Sequence, residues 1–236
     1  MNHIIVSVYQ NDLPESISKY QKKVFDYFNI PLEQIVFENR NEMHSFTMDY
    51  VLKSKENENW DYFTFFDVDC IPLKSDVINK ALEKISDGKT LYGNAQSSNT
   101  YTSDPVKTPP FIAPSFLNIS RKLWENYKKN YPNYLERDIF KFCQKCKNPE
   151  GQISEADVAE EFTKENKAIG HNILYAYPTK IYSNPQWSFL GGWGHKPFDF
   201  GNYTEFESET FHNFQIRYSE HQEFFINYCK KIINEN

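Results

Sequence analysis

Glycine is scarce in this sequence, at 8 of 236 residues, which argues against disorder or low-complexity repetition. Cysteine is sparse as well. Cys70, Cys143, Cys146 and Cys229 lack the density of a disulfide scaffold and fit a reducing, cytoplasmic setting. Cys143-Gln-Lys-Cys146 has zinc-ribbon or redox spacing, but without a second CxxC or a paired-histidine motif it reads as two ordinary thiols. Basic residues are outnumbered, and the formal net charge of −6 with a pI near 5.6 weighs against a nucleic-acid partner. A phosphorylated substrate would need local positive charge, most simply a bound divalent cation. Long apolar runs are missing too. No stretch approaches the roughly 18 residues of a membrane span, and MNHIIVSVYQ lacks the basic flank and long apolar core of a signal peptide.

Aromatics are what the chain has in excess, at 17%. They concentrate in Tyr62 to Leu73, YFTFFDVDCIPL, where five of the six residues from Tyr62 to Asp67 are aromatic or β-branched. That is the composition of a strand buried on both faces. Asp67 and Asp69, two apart, project to one side of an extended chain. So apolar a strand holds carboxylates only at its carboxyl end, where ligands sit in open α/β sheets. Two hard oxygen donors there suit Mg²⁺ or Mn²⁺ carrying a phosphorylated substrate. The bland alternative is a strand end with two solvated turn aspartates.

The flanking pattern alternates strand and helix. His3 to Tyr9 reads as a strand, and Asp12 and Glu15 have capping-box spacing before a helix carrying Ile17, Tyr20, Val24, Tyr27 and Phe28. Gln34 to Phe37 is a second strand, Met43 to Val51 a second helix, and the aspartate strand is the third. Ser75 is placed to cap the next helix, which has Gly88 just beyond its end. This rhythm predicts a mostly parallel sheet covered by helices. Its strand exits, Tyr9 to Asp12, Asn39 to Asn41 and Asp67 to Asp69, then converge on one edge.

The second half predicts strands over Thr90 to Gln96, Phe111 to Ile119 and Ile173 to Tyr177. It also predicts a Ser120-capped helix with Leu123, Trp124 and Tyr127, a helix from Ser154 through about Lys167, and a C-terminal helix over about Ser219 to Ile233. Residues 130 to 152 read as irregular, and Gln186 to Phe200 as an aromatic, Gly-containing loop. With no repeats and no clear linker, a single domain is expected, with a nucleotide-binding half (1–96) and an acceptor-binding half (97–236).

Three strand–helix units leading to an apolar strand that ends in Asp-x-Asp resemble a nucleotide-sugar glycosyltransferase of the GT-A fold. DVDCIPL is similar to the matching stretch of the β-1,4-galactosyltransferase type, and the order of the later segments is similar over most of the chain. The resemblance implies that Asp69 binds the metal, with Asp67 on metal or ribose, and that a late histidine completes the site: His212 in TFHNF, or His195 in GWGHKPF. Lys196 would offer a cation to the diphosphate. SEADVAEEF resembles the region whose acid, at a helix start, deprotonates the acceptor hydroxyl in inverting members. Asp157 aligns best and Glu155 next, although Ala156 splits the usual adjacent Glu-Asp. A capping box at Ser154 and Asp157 explains the same residues without catalysis.

By position, Tyr9, Asn11, Asp12, Asn39 and Arg40 would contact the base and ribose of a UDP- or GDP-sugar. Asn94 and Ser115 would face the sugar or acceptor, a glycan or other hydroxyl compound. Trp187 and Trp193 would stack on an acceptor ring, or pack in the core. Two rivals stand beside this reading. A haloacid-dehalogenase-type phosphatase also places Asp-x-Asp after an apolar strand, but there the motif usually opens the chain and a paired acidic motif follows. A non-catalytic nucleotide-sugar or glycan-binding relative would keep Asp69 and be indifferent to Asp157→Asn.

Overall fold

The computed structural model describes residues 1–38, 44–97, 110–140, 143–147, 153–156, 158–182, 203–214 and 216–235. The first half runs β1 (His3–Gln10), α1 (Glu15–Tyr27), β2 (Glu33–Phe37), α2 (His44–Ser54), β3 (Tyr62–Asp67), β4 (Cys70–Pro72), α3 (Val77–Ile85) and β5 (Thr90–Ser97). Then come β6 (Pro110–Ser120), α4 (Arg121–Asn130), a 3-10 turn (Tyr134–Glu136), β7 (Cys143–Lys147), β8 (Ile153–Ala156), α5 (Glu160–Ala168) and β9 (Asn172–Ala176). The chain ends with β10 (Pro178–Ile181), β11 (Tyr203–Phe206), β12 (Thr210–Asn213) and α6 (Ser219–Ile232).

The central sheet has the order β2-β1-β3-β6-β5-β9. β1 is parallel to β2 and β3, β5 is parallel to β9, and only β6 runs against both of its neighbours. The protein therefore has the α/β architecture that the strand–helix rhythm predicts, a mostly parallel sheet flanked by helices.

β3 explains why its sequence is so uniformly apolar. Phe63 and Phe65 join the cluster under α2, α4 and α5, with Met48, Leu52, Trp124 and Phe162. Phe66 faces the other way, toward Phe25 of α1 and Val77 and Ala81 of α3. Each of the phenylalanine, leucine, methionine and valine side chains here, once buried, contributes roughly 1.5–3 kcal/mol relative to exposure. At β5 the sheet closes so tightly on β6 that a Cβ on Gly93 would lie 2.0 Å from the Phe116 carbonyl oxygen.

A second sheet, order β10-β11-β12-β4, was not foreseen from the sequence. Its edge is the three-residue strand that directly follows Asp69. Other departures are local. The Ser154-to-Lys167 helix is two elements: Ile153–Ala156 is a strand paired with β7, and the helix begins at Glu160, after Ala159 in a left-handed conformation (φ 70°). The turn at Ala159 breaks the run, so the helix starts six residues later than the sequence predicts. Residues 130–152 are not wholly irregular, since they contain the 3-10 turn and β7. Ser120 does cap α4, accepting from Leu123 N. Asp12 does not cap α1; its carboxylate is taken by Arg217 instead. Asp76 rather than Ser75 precedes α3, and its side chain pairs with Lys80 at 2.9 Å without capping the helix.

Candidate metal and nucleotide site

Register brings the strand exits together. Val8 of β1 lies beside Asp67 of β3, and Gln10 pairs with Phe37 of β2. Asn11 N donates to Phe37 O at 3.1 Å, so Tyr9, Asn11 and Asp12 sit next to the aspartate exit. Asn39 and Arg40, the third part of that edge, lie outside the described residues.

The turn that carries the two aspartates is held from beneath. Gln21, fully buried on α1, donates through Nε2 to Asp67 O (2.7 Å) and Cys70 O (3.0 Å). Its own Oε1 accepts from Gln34 Nε2 at 3.0 Å, which fixes the amide's orientation. Asp67 ends β3 and Cys70 opens β4, so one buried amide holds the backbone on both sides of the turn. Sequence reasoning overlooked Gln21, because a buried glutamine is indistinguishable from a surface one without the fold.

His212 reaches the turn through β12. Its residue is opposite Cys70 in the antiparallel β4–β12 pair, and Asn213 N donates to Asp69 O at 3.0 Å. His212 Nε2 is consequently 3.2 Å from Asp69 Oδ1 and 3.7 Å from Asp67 Oδ2. One donor atom from each of Asp67, Asp69 and His212 lies within 4.8 Å of the others. Adjacent donors on an octahedral Mg²⁺-sized cation sit about 3 Å apart, so this set needs little adjustment to hold one. Its chemistry, two carboxylates and an imidazole, also fits Mn²⁺.

Electrostatics favour a cation as well. Burial pushes the Asp67 carboxyl up, but His44 and His212 together outweigh it and hold it below the usual aspartate value. Asp69 is raised: burial dominates, the negative Asp67 adds to it, and His212 only partly opposes. Two closely spaced, largely buried carboxylates are costly to ionise together without positive charge between them. Burial and the same two aspartates push the Cys70 thiol well up, so Cys70 is an inert packing group.

His44, the first residue of α2, is the other partner that the sequence did not reveal. Its Nε2 lies 3.0 Å from Asp67 Oδ1. Asn94 and Ser115, expected near sugar or acceptor, are both fully buried, with Asn94 Nδ2 donating to Ser115 Oγ at 3.1 Å. Asn94 Oδ1 accepts from Thr210 Oγ1 at 3.0 Å, tying β5 and β6 to β12. Glu155 lies on β8. Asp157, Trp187, Trp193, His195 and Lys196 lie outside the described residues.

No family model matches the sequence, and no curated protein matches it. Among solved structures, the chain is similar to the catalytic domain of Drosophila β-1,4-galactosyltransferase 7 in complex with xylobiose. That match has 11% identity and a TM-score of 0.44, over 95% of this chain and 79% of that one. It is also similar to a glycosyltransferase involved in glycosylation of the major capsid of PBCV-1, at 10% identity and a TM-score of 0.37, over 56% and 68% of the two chains. A third likeness is to A197 from STIV, at 12% identity and a TM-score of 0.37, over 52% and 67%. Among the described residues, no helix is long and apolar enough to cross a membrane.

Proposed function

We propose that this chain is a metal-dependent glycosyltransferase that moves a sugar from a nucleoside-diphosphate sugar to a hydroxyl acceptor, in the synthesis of a glycan. The observation that carries this reading is the meeting of Asp67, Asp69 and His212 at the carboxyl edge of a mostly parallel sheet. Ligands of open α/β sheets bind at that edge, and the DVDCIPL stretch that builds it resembles the nucleotide-sugar enzymes.

In this reading Asp69 and His212 hold Mn²⁺ or Mg²⁺, and Asp67 serves the metal or the donor ribose. The cation, when bound, offsets the negative charge that grows on the diphosphate leaving group. Tyr9, Asn11, Asp12, Asn39 and Arg40 receive the base and ribose of a UDP- or GDP-sugar, and Lys196 approaches the diphosphate. Asp157, or failing it Glu155, accepts the proton of the attacking hydroxyl, giving inversion at the anomeric carbon. Asn94, bonded to Ser115 and Thr210, serves the sugar through the framework it ties together.

The test is calorimetry of the purified protein against a panel of nucleotides, with and without Mn²⁺. A uridine or guanosine diphosphate is expected to bind only with the metal, and Asp69→Ala to abolish that binding. Binding indifferent to both would sink the reading. The catalytic part is tested separately, since Asp157→Asn is expected to lower turnover by about 10²–10⁴-fold while leaving nucleotide binding intact.

A further inference from the structure

We propose that His44 is a positioning residue that sets the orientation of Asp67 in the cation site. The inference rests on the reading of Asp67, Asp69 and His212 as cation donors. His44 Nε2 is 3.0 Å from Asp67 Oδ1, whereas it is the other oxygen, Oδ2, that lies 3.7 Å from His212 Nε2. The two histidines thus address the two carboxylate oxygens separately. An aspartate's terminal torsion is broad and roughly two-fold, so a carboxylate at a strand exit turns easily. A ring N–H fixed on Oδ1 removes that freedom and leaves Oδ2 on the side of His212. A neutral imidazole with its proton on Nε2 suffices for this, so the role needs no change of charge.

His44 is itself held in place. Its carbonyl oxygen accepts from Thr47 Oγ1 at 2.8 Å, and the next residue, Ser45, donates to Asp138 Oδ2 at 2.9 Å. Asp138 Oδ1 in turn accepts from Phe140 N at 3.0 Å, and the Phe140 side chain is buried against Phe65 of β3. The start of α2 is therefore anchored to the same strand whose end it steers. The His44 side chain is 38% exposed and that of Asp67 16%, so the imidazole stands on the solvent side of the carboxylate. Its removal opens no core cavity. Partners that orient a ligating carboxylate typically change metal affinity by about 10- to 100-fold.

The experiment measures Mn²⁺ affinity of the full chain by calorimetry, together with the nitrogen coupling of bound Mn²⁺ by pulsed electron paramagnetic resonance. His44→Ala is expected to weaken Mn²⁺ binding about 10- to 100-fold with unchanged thermal melting. His44→Gln, whose amide nitrogen can reach the same oxygen, is expected to recover most of the loss. The imidazole coupling should persist in His44→Ala and vanish in His212→Ala. The inference is overturned if His44→Ala binds Mn²⁺ like the wild type, or if His44→Gln is no better than alanine. It is equally overturned if the coupling is lost in His44→Ala, which would make His44 a ligand in its own right. A wild type that binds no divalent cation would remove the metal reading and this inference with it. Wild-type binding lost in Asp69→Ala but untouched by His44→Ala would remove only the inference.

Discussion

Cys70 and His212 face one another across the β4–β12 pair, and that single register position is what brings an imidazole to within 3.2 Å of Asp69. β4 is three residues long, yet it docks a whole second sheet onto the aspartate turn. The site is thus a joint between two sheets: the parallel sheet presents the carboxylates, and the antiparallel one returns the chain to them.

Because both sheets supply donors to one position, their contributions to cation binding should not be independent. His212→Ala and Asp69→Ala are each expected to reduce Mn²⁺ affinity at least about tenfold, and the double variant to lose much less than the product of the two. Coupling of this kind is the signature of groups that share one partner. A double-mutant cycle read by calorimetry checks it, and strict additivity would show that the two side chains do not serve the same ion.

Gln21 carries a second prediction. Gln21→Leu keeps the volume but strips the donors from Asp67 O and Cys70 O, leaving both carbonyls short of a partner. A buried group left unsatisfied costs about 1–3 kcal/mol, so urea denaturation should show a loss of at least about 2 kcal/mol. The variant should also bind Mn²⁺ more weakly, since the turn that spaces Asp67 from Asp69 loses its tether. Lost stability with full metal affinity would mean that the turn holds its shape without Gln21.

How far the sequence could be read follows from the length of each signal. β1, β3 and β6 are strongly apolar and clearly bounded, α4 is announced by its capping serine and the spacing of Leu123, Trp124 and Tyr127, and all four lie where the pattern predicts. β4 (CIP), β11 (YTEF) and β12 (TFHN) are too short for any periodicity to register. The hairpin between β11 and β12 turns through Glu207 and Ser208, both at positive φ, where glycine or asparagine would have announced the turn. His212 could be suspected only from family resemblance, while His44 and Gln21 gave no signal at all. The helix predicted from Ser154 failed because a strand and a left-handed alanine together mimic a helix start in composition.

Gly93 gives a test of the framework behind the site. Its missing Cβ lets β5 approach β6, and the carbonyl oxygen it would strike belongs to the backbone and cannot swing aside. The β5–β6 register also shifts between Gly93 and Ala95, consistent with a bulge built around this contact. Gly93→Ala is expected to destabilise the protein by about 1–3 kcal/mol, the usual range for overpacking. Since Asn94 links this strand to Thr210 of β12, metal affinity should fall as well. An alanine variant as stable as the wild type would mean that the strands separate freely.

His3 predicts how stability depends on pH. Thr64 Oγ1 gives its only proton to Asn118 Oδ1 at 2.7 Å, so at 2.8 Å from His3 Nε2 it can only accept, and the ring's proton is on Nε2. Burial lowers the His3 pKa from 6.5 to about 4. The unfolded chain therefore binds a proton that the folded one refuses anywhere between those values. The stability that His3 contributes is complete above about pH 6.5 and is lost as pH falls toward 4, by up to about 3 kcal/mol. Other groups titrate in the same window, so the useful comparison is with His3→Gln, which keeps a donor to Thr64 but cannot take up a proton. Urea midpoints of the two proteins should change with pH along similar curves at pH 7 and above. Below that the wild type should fall faster, and parallel curves down to pH 4.5 would show that His3 accepts its proton without cost to the fold.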